Sequence, residues 1–286
     1  MGEERVVAVV VTWNRRDLLA ESLRAVLAQT RAVDEVIVID NASDDGTDAM
    51  LQADFRDLAV VRTTYNTGGA GGFALGIAEA LRRGADAVWL MDDDTVPEPE
   101  ALATLMAARR GHPGRTPALA ASRVVWTDGR DHPMNTPRER PGATAEQRAA
   151  AAEVGCVPIR SASFVSLLVD ADAARELGLP VADYFLWNDD FEFTTRLARD
   201  RVALFCPSSV VVHKTRTFGS TDADPGERFF YEARNKVWLF GRSRSLRPTE
   251  KVLYGGATLR RWARTIAKSG DRRTLLTQLR RGVSAG

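Results

Sequence analysis

The chain has 286 residues, 44% hydrophobic and 27% charged, enough to bury a full core as one large domain or one domain with an appendage. Its formal net charge of +1 excludes a chain-wide field that would draw nucleic acid, so the local distribution of charge carries the information. Two cysteines, Cys156 and Cys206, exclude a disulfide framework and lack metal-type spacing, which fits a reducing compartment.

The first apolar run, Val6 to Thr12, is too short for a signal peptide and lacks a cleavage site. No run approaches the roughly 20 residues that span a bilayer. The expectation is a cytoplasmic protein whose membrane contact is peripheral. That first run, VVAVVVT, has the β-branched character of a buried central strand, and Asn14 follows as a helix cap. From Asp17 to Gln29, Leu19, Leu23, Val26 and Leu27 recur at helical spacing. A second strand, Val36 to Ile39, runs into Asp40-Asn41-Ala42-Ser43-Asp44-Asp45-Gly46-Thr47, a polar turn suited to hydrogen bonding a base and ribose.

A third strand, Ala59 to Thr63, leads into Asn66-Thr67-Gly68-Gly69-Ala70-Gly71-Gly72-Phe73 and then a helix through Leu75, Ala78 and Leu81. Gly69, Gly71 and Ala74 nominally fit the G-x-G-x-x-A dinucleotide fingerprint. In that fingerprint the glycines follow the first strand, and the acidic triplet further on would repel a bare pyrophosphate without a metal. Both points argue against a redox dinucleotide. The triplet closes the next strand: Val88-Trp89-Leu90-Met91 is apolar throughout and ends in Asp92, Asp93 and Asp94. Three adjacent carboxylates at the end of a buried strand require positive charge, most simply a divalent cation bridging to a diphosphate. An acidic turn in water is the bland alternative.

Alternating strands and helices with short links imply a parallel sheet with ligand at the carboxyl ends of its strands. After Pro99 come a helix through Leu102, Leu105 and Met106, a strand from Ala118 to Trp126, and a long polar segment from Thr127 to Val154. In that segment Thr144 and Gln147 have capping-box spacing, and it reads as a lid or as a tolerated surface loop. Ser163 to Val169 returns to strand character, and Ala171 to Leu177 makes a brief helix. Tyr184 to Phe193 places aromatics before a second acidic cluster that opens a helix. Glu192 suits amino-terminal capping, whereas Asp190, between Asp189 and Glu192 and near aromatic cover, is expected to have the raised pKa of a general base. Trp187 suits stacking on a sugar or burial in the core.

Val202 to Phe205 and Val210 to Val212 read as two strands, the second ending in His213-Lys214-Thr215-Arg216. His213 follows its strand as the triplet follows its own, so both can emerge at one sheet edge and share a metal. Lys214 and Arg216 would face phosphates or remain solvated, and Arg234 can form a bidentate contact to a diphosphate. From Arg242 onward twelve basic residues meet only Glu250 and Asp271, and Leu259, Trp262, Ile266, Leu275 and Leu279 give this stretch apolar faces. Such a tail binds a membrane surface, docks a partner, or packs on the core.

Together these segments resemble the inverting glycosyltransferases of sequence family 2, over roughly Val6 to Leu239. The resemblance implies an α/β protein with the GT-A fold, a Rossmann-like half and a mixed central sheet, followed by a basic helical segment. It divides the chain into a glycosyltransferase domain, 1–241, with a nucleotide-sugar half, 1–98, and an acceptor half, 99–241, and a tail, 242–286. It implies Asp40 and Asn41 at the base and ribose, and Asn66, Gly68, Gly69 and Gly71 in a loop over the donor, with Thr12 and Asn14 in the same donor set. The DDD triplet stands where the family has its metal-binding D-x-D, giving Asp92 and Asp94 as ligands of Mn2+ or Mg2+, Asp92 and Asp93 as donor contacts, and His213 as the third ligand. WNDDFE is similar to the family's W-D-D-x-E acceptor motif, with Asn188 a departure. That makes Asp190 the catalytic base and sets Trp187, Asp189, Lys214 and Arg234 on the acceptor side. DDD, WNDD and HK in combination look like the actinobacterial galactofuranosyltransferases that begin cell-wall galactan on a polyprenyl-diphosphate acceptor. Rhamnosyltransferases using dTDP-rhamnose share much of the pattern. A non-catalytic nucleotide-sugar sensor and a nucleotidyltransferase are the rivals from other classes.

Overall fold

The computed structural model describes residues 4–219 and 224–286. The first half alternates β1 (Val6–Thr12), α1 (Arg16–Leu27), β2 (Glu35–Asp40), α2 (Thr47–Asp54), β3 (Ala59–Arg62), α3 (Gly68–Arg82) and β4 (Ala87–Asp92). The second half follows with β5 (Thr95–Pro97), α4 (Ala101–Gly111), β6 (Leu119–Val125), β7 (Arg138–Glu139), α5 (Ala145–Glu153), β8 (Val157–Ser161), β9 (Leu167–Asp170), α6 (Ala171–Leu177), α7 (Asp189–Leu197) and β10 (Ala203–His213). Three helices close the chain: α8 (Phe229–Gly241), α9 (Pro248–Lys268) and α10 (Arg272–Ala285).

The strands lie in the order β3-β2-β1-β4-β9-β6-β10-β8-β7. The sheet is mixed: β9 runs antiparallel to both of its neighbours, β4 and β6, and β5 and β8 run antiparallel to β10. Because only β9 lies between β4 and β6, these two and β10 stay parallel to β1 and β2, so their carboxyl ends meet at one edge. Burial explains the uninterrupted apolar runs. In β1, Val6, Ala8 and Val10 pack with Leu19 and Leu23 of α1 and Leu102 of α4, while Val7 and Val9 pack on the other face with Phe73 and Ile77 of α3.

Several boundaries differ from the sequence expectation, each for a physical reason. The glycine segment is not a loop: Gly68 to Phe73 form the opening of α3 itself. A Cβ on Gly72 would lie 2.5 Å from Val11 Cγ1, and one on Gly76 would lie 2.3 Å from Val9 Cγ1, so these glycines let α3 approach β1. Ser163 to Ser166 lie between β8 and β9 rather than in a strand, with Ser166 at positive φ and its hydroxyl accepting from Trp89 Nε1 and hydrogen-bonded to the Ser122 hydroxyl. The two expected strands after Val202 are one, β10, bulged between Cys206 and Val210. Thr144 and Gln147 do form the capping box of α5. In the tail, α10 lies along α8, with Leu275 buried among Phe229, Ala233 and Trp262. By contrast α9 buries only Thr258 and Trp262 and leaves Val252, Leu253 and Leu259 in solvent.

Candidate active site

The metal constellation is assembled by a strand too short to read in the sequence. β5 turns back immediately after the aspartate triplet and pairs antiparallel with the end of β10, placing His213 opposite Thr95. The backbone N–H of Lys214 donates to Asp94 O at 2.8 Å and fixes the register. As a result, ligand atoms of Asp92, Asp94 and His213 lie within 4.8 Å of one another, although His213 is far from the two aspartates in the chain.

The donor set fits a divalent cation. His213 Nδ1 shares a 2.9 Å hydrogen bond with Asn135 Oδ1, which requires the proton on Nδ1 and turns the Nε2 lone pair toward the aspartates. Nε2 stands 3.1 Å from Asp94 Oδ1, a buried oxygen without a hydrogen bond. Positive charge reaches the cluster from Arg15, whose guanidinium pairs with Asp94 and lies 3.4 Å from Asp93. Burial drives the Asp92 pKa up to about 6, with the Asp94 charge adding to it. Burial also opposes ionisation of Asp94, but His213 and Arg15 outweigh it and hold that carboxyl below its usual range. A divalent cation at this point would add to the positive charge that Arg15 supplies.

The remaining donor-side residues build the walls. Asp93 accepts from Thr12 Oγ1 at 2.8 Å and from Trp13 N at 3.3 Å, so Asp93 and Thr12 brace the end of β1 against β4. Burial raises the Asp93 pKa to about 7. Asp40 accepts from Ser43 N at 2.9 Å through Oδ1, while its buried Oδ2 makes no hydrogen bond. Asn14, at φ +53°, accepts from Asp44 N at 2.8 Å and joins the two polar turns. Asn41 accepts from Thr67 N and Oγ1 and donates to Gly68 O at 2.8 Å, and Asn66 accepts from Gly68 N at 2.7 Å. Gly69 faces open space, but a Cβ on Gly71 would lie 2.5 Å from Thr67 Oγ1 and one on Gly68 only 2.0 Å from Phe185 O. The glycine opening of α3 therefore seats the loop that precedes the second acidic cluster.

That loop is unusual. Phe185, Trp187 and Asn188 all have positive φ, a conformation that costs about 1–3 kcal/mol per residue and survives only where the surroundings fix it. Asn235 supplies the fixing, its Nδ2 lying 2.8 to 2.9 Å from the carbonyls of Tyr184, Leu186 and Trp187. Arg234, expected at a diphosphate, instead donates to Asp183 O and Tyr184 O and stacks over Trp238. Lys214, expected at a phosphate, pairs with Glu21 of α1. Glu192 does not cap its helix; it pairs with Arg196 and accepts from Ser243. Asn188 sits at the amino end of α7 and donates to Glu232 of α8 at 2.8 Å.

Asp189 and Asp190 follow, both partly or wholly withdrawn from water. Burial raises both pKa values, with the Asp190 charge adding to the rise at Asp189. At Asp190 the Phe191 N–H, Lys236 and Arg138 offset part of the effect. The charge of Asp190 also contributes to the rise at Asp92, so the two acidic clusters lie within electrostatic reach of each other. Four neighbours of the site carried no signal in the sequence: Arg15, Asn135, Glu232 and Lys236. Each is a lone polar residue whose role depends on tertiary packing, and Asn135 lies in the long segment expected only to be a lid or a loop.

A Rossmann-like half joined through a mixed sheet to a second acidic cluster, with both clusters at one edge, defines a GT-A glycosyltransferase. The comparisons agree. Residues 7–156 match the family model "Glycosyl transferase family 2". The chain is 33% identical over 279 residues to the galactofuranosyltransferase GlfT1 of Mycobacterium tuberculosis H37Rv, covering 88% of each chain. It is 29% identical to the GlfT1 of Mycolicibacterium smegmatis over 286 residues, 91% of this chain and 95% of the relative. Among solved structures, S. aureus TarS 1–349 in complex with UDP superposes with a TM-score of 0.65 at 16% identity, over 98% of this chain and 80% of that one. The mannosyltransferase PcManGT of Pyrobaculum calidifontis, in complex with GDP-Man and Mn2+, gives 0.56 at 21% identity over 99% and 76%. The chain belongs to glycosyl transferase family 2 and is a nucleotide-sugar glycosyltransferase.

Proposed function

We propose that the protein transfers galactofuranose from UDP-galactofuranose, with inversion, to a hydroxyl of a lipid-linked glycan at the membrane surface. The observation that carries the reading is the convergence of Asp92, Asp94 and His213 within 4.8 Å, in the field of Asp190. The donor sugar is supported by full-length similarity to relatives named galactofuranosyltransferases.

Asp92, Asp94 and His213 would hold Mn2+ or Mg2+, and such an ion, when bound, neutralises charge on the departing diphosphate. Asp40 and Asn41, with Asn14, Asn66 and the opening of α3, line the nucleotide side; Asp93 and Thr12 brace it. Asp190, poised by burial to accept a proton, takes it from the acceptor hydroxyl as that oxygen attacks the anomeric carbon opposite the leaving group. No covalent sugar intermediate is needed. Trp187 and Asp189 border the acceptor. Residues 1–98 serve the donor, 99–241 the acceptor and 242–286 the attachment, in one working unit.

Membrane attachment rests on α9. No helix among the described residues is long and apolar enough to cross a bilayer. Yet Val252, Leu253 and Leu259 are 76%, 73% and 65% exposed, beside the exposed cations Arg260, Arg264 and Lys268. An apolar ridge flanked by cations suits an anionic interface.

The test is a screen of UDP-galactofuranose against dTDP-rhamnose, with a synthetic lipid-linked acceptor and with metal added or chelated. The reading requires transfer from the UDP donor, UDP as the released nucleotide, and loss on chelation. Transfer only from the dTDP donor, or release of pyrophosphate, overturns it.

A further inference from the structure

The acceptor side of Asp190 carries two cations without ion pairs. Lys236, on α8, is only 9% exposed, yet among the described residues its ammonium makes no hydrogen bond and no ion pair. Its Nζ lies 4.9 Å from the Phe191 ring centre and 5.9 Å from that of Phe240. Arg138, on β7, is exposed and likewise without a hydrogen bond or ion pair among the described residues. Its guanidinium lies 5.4 Å from the Phe191 ring centre and 5.6 Å from that of Tyr254 on α9. Ring faces hold both cations, but all three ammonium donors and the N–H donors of the guanidinium are unspent.

An ammonium on a largely buried side chain without a hydrogen-bonding partner is costly, and an anion entering beside it would offset that cost. Asp190 does not fill that role, since no hydrogen bond or ion pair joins it to either cation, and their charges reach it only through space. Glu232, one helical turn before Lys236, is committed to Asn188, Arg261 and Trp262. Resting on the proposed role of Asp190, we infer that Lys236 and Arg138 form an anion subsite that receives a phosphoryl group of the acceptor. Tyr254 lies on α9, the helix that also carries the exposed Leu253 and Val252 one and two residues earlier, so a phosphate ester with an apolar tail would meet α9 next to this subsite.

The experiment uses one glycan in two forms, as the diphosphate ester of a short alkyl chain and as the neutral alkyl glycoside, at saturating donor. The native protein is expected to favour the diphosphate form in kcat/KM. That preference should shrink at least tenfold in Lys236→Met and in Arg138→Met, largely through KM, and should be mostly kept in Lys236→Arg. Inorganic pyrophosphate should compete with the charged acceptor, and less well in the Met variants. Because Arg138 is exposed, its variant reports even if Lys236→Met misfolds. Burial lowers the Lys236 pKa to about 8, and the charged groups bearing on it are Glu232, Arg261, Arg138 and Asp190. The preference should therefore weaken above about pH 8 in the native protein. Equal losses on both acceptors, which would assign Lys236 to Asp190 instead, or an unchanged preference, overturn the subsite. Transfer to neither acceptor by the native protein overturns the role of Asp190 and the subsite with it.

Discussion

Asn135 fixes one imidazole tautomer, and that fixes what His213 can ligate. Its Oδ1 accepts from Nδ1, while its Nδ2 donates to Ser163 Oγ at 3.0 Å and holds the amide the right way round. Asn135→Leu is expected to weaken Mn2+ binding about 10- to 100-fold by titration calorimetry, and to shift the His213 15N resonances away from the Nδ1-protonated pattern. An unaltered affinity would show that Asn135 does not orient the ring. A second expectation concerns pH. Burial raises the Asp190 pKa, and the base works only when deprotonated, so kcat should rise with pH along an acid limb lying above the ordinary aspartate value of about 3.9. Since Asp189 titrates beside it, the limb reports the pair. A rate flat down to about pH 4 would contradict this.

At the scale of elements, local patterns were legible and long-range contacts were not. The apolar runs of β1, β2 and β4 gave their strands away because both faces are buried, and the capping box of α5 is a local signal. β5 was invisible: three residues carry no periodicity, and only pairing with β10 makes them a strand, yet that pairing brings His213 to the triplet. The candidate metal ligands could be read from their strand ends. The uses of Arg234 and Lys214 could not, because an arginine on backbone carbonyls looks the same in sequence as one awaiting a phosphate. That the glycines of α3 are helical was not legible, because composition does not reveal how closely a helix packs on a strand. At Gly76 the nearest Val9 atom would be 2.3 Å from a new Cβ. Gly76→Ala should therefore destabilise the protein by about 1–3 kcal/mol, seen as a shift of the urea midpoint with little change in slope. An unchanged midpoint would mean that α3 does not lie so close to β1.

For the whole molecule, the chain-wide charge near zero conceals a division of labour. The site gathers carboxylates at the sheet edge, while the last three helices gather the cations. Of these helices, α8 positions the loop before α7 through Asn235 and Glu232, α10 braces α8, and α9 joins Glu232 through Arg261 and Trp262. Its other face is apolar and basic. In a flotation assay, Val252→Glu combined with Leu253→Glu should reduce binding to vesicles containing anionic lipid at least fivefold while leaving the fold intact by circular dichroism. Undiminished flotation would assign α9 a different partner.

The metal cluster and Asp190 are proposed to act on one pair of substrates, so the most direct measurement is single-turnover transfer by Asp190→Asn at saturating Mn2+ and UDP-galactofuranose. The rate should fall about 10²- to 10⁴-fold, with the donor dissociation constant within about twofold of native. Transfer at the native rate would contradict the account.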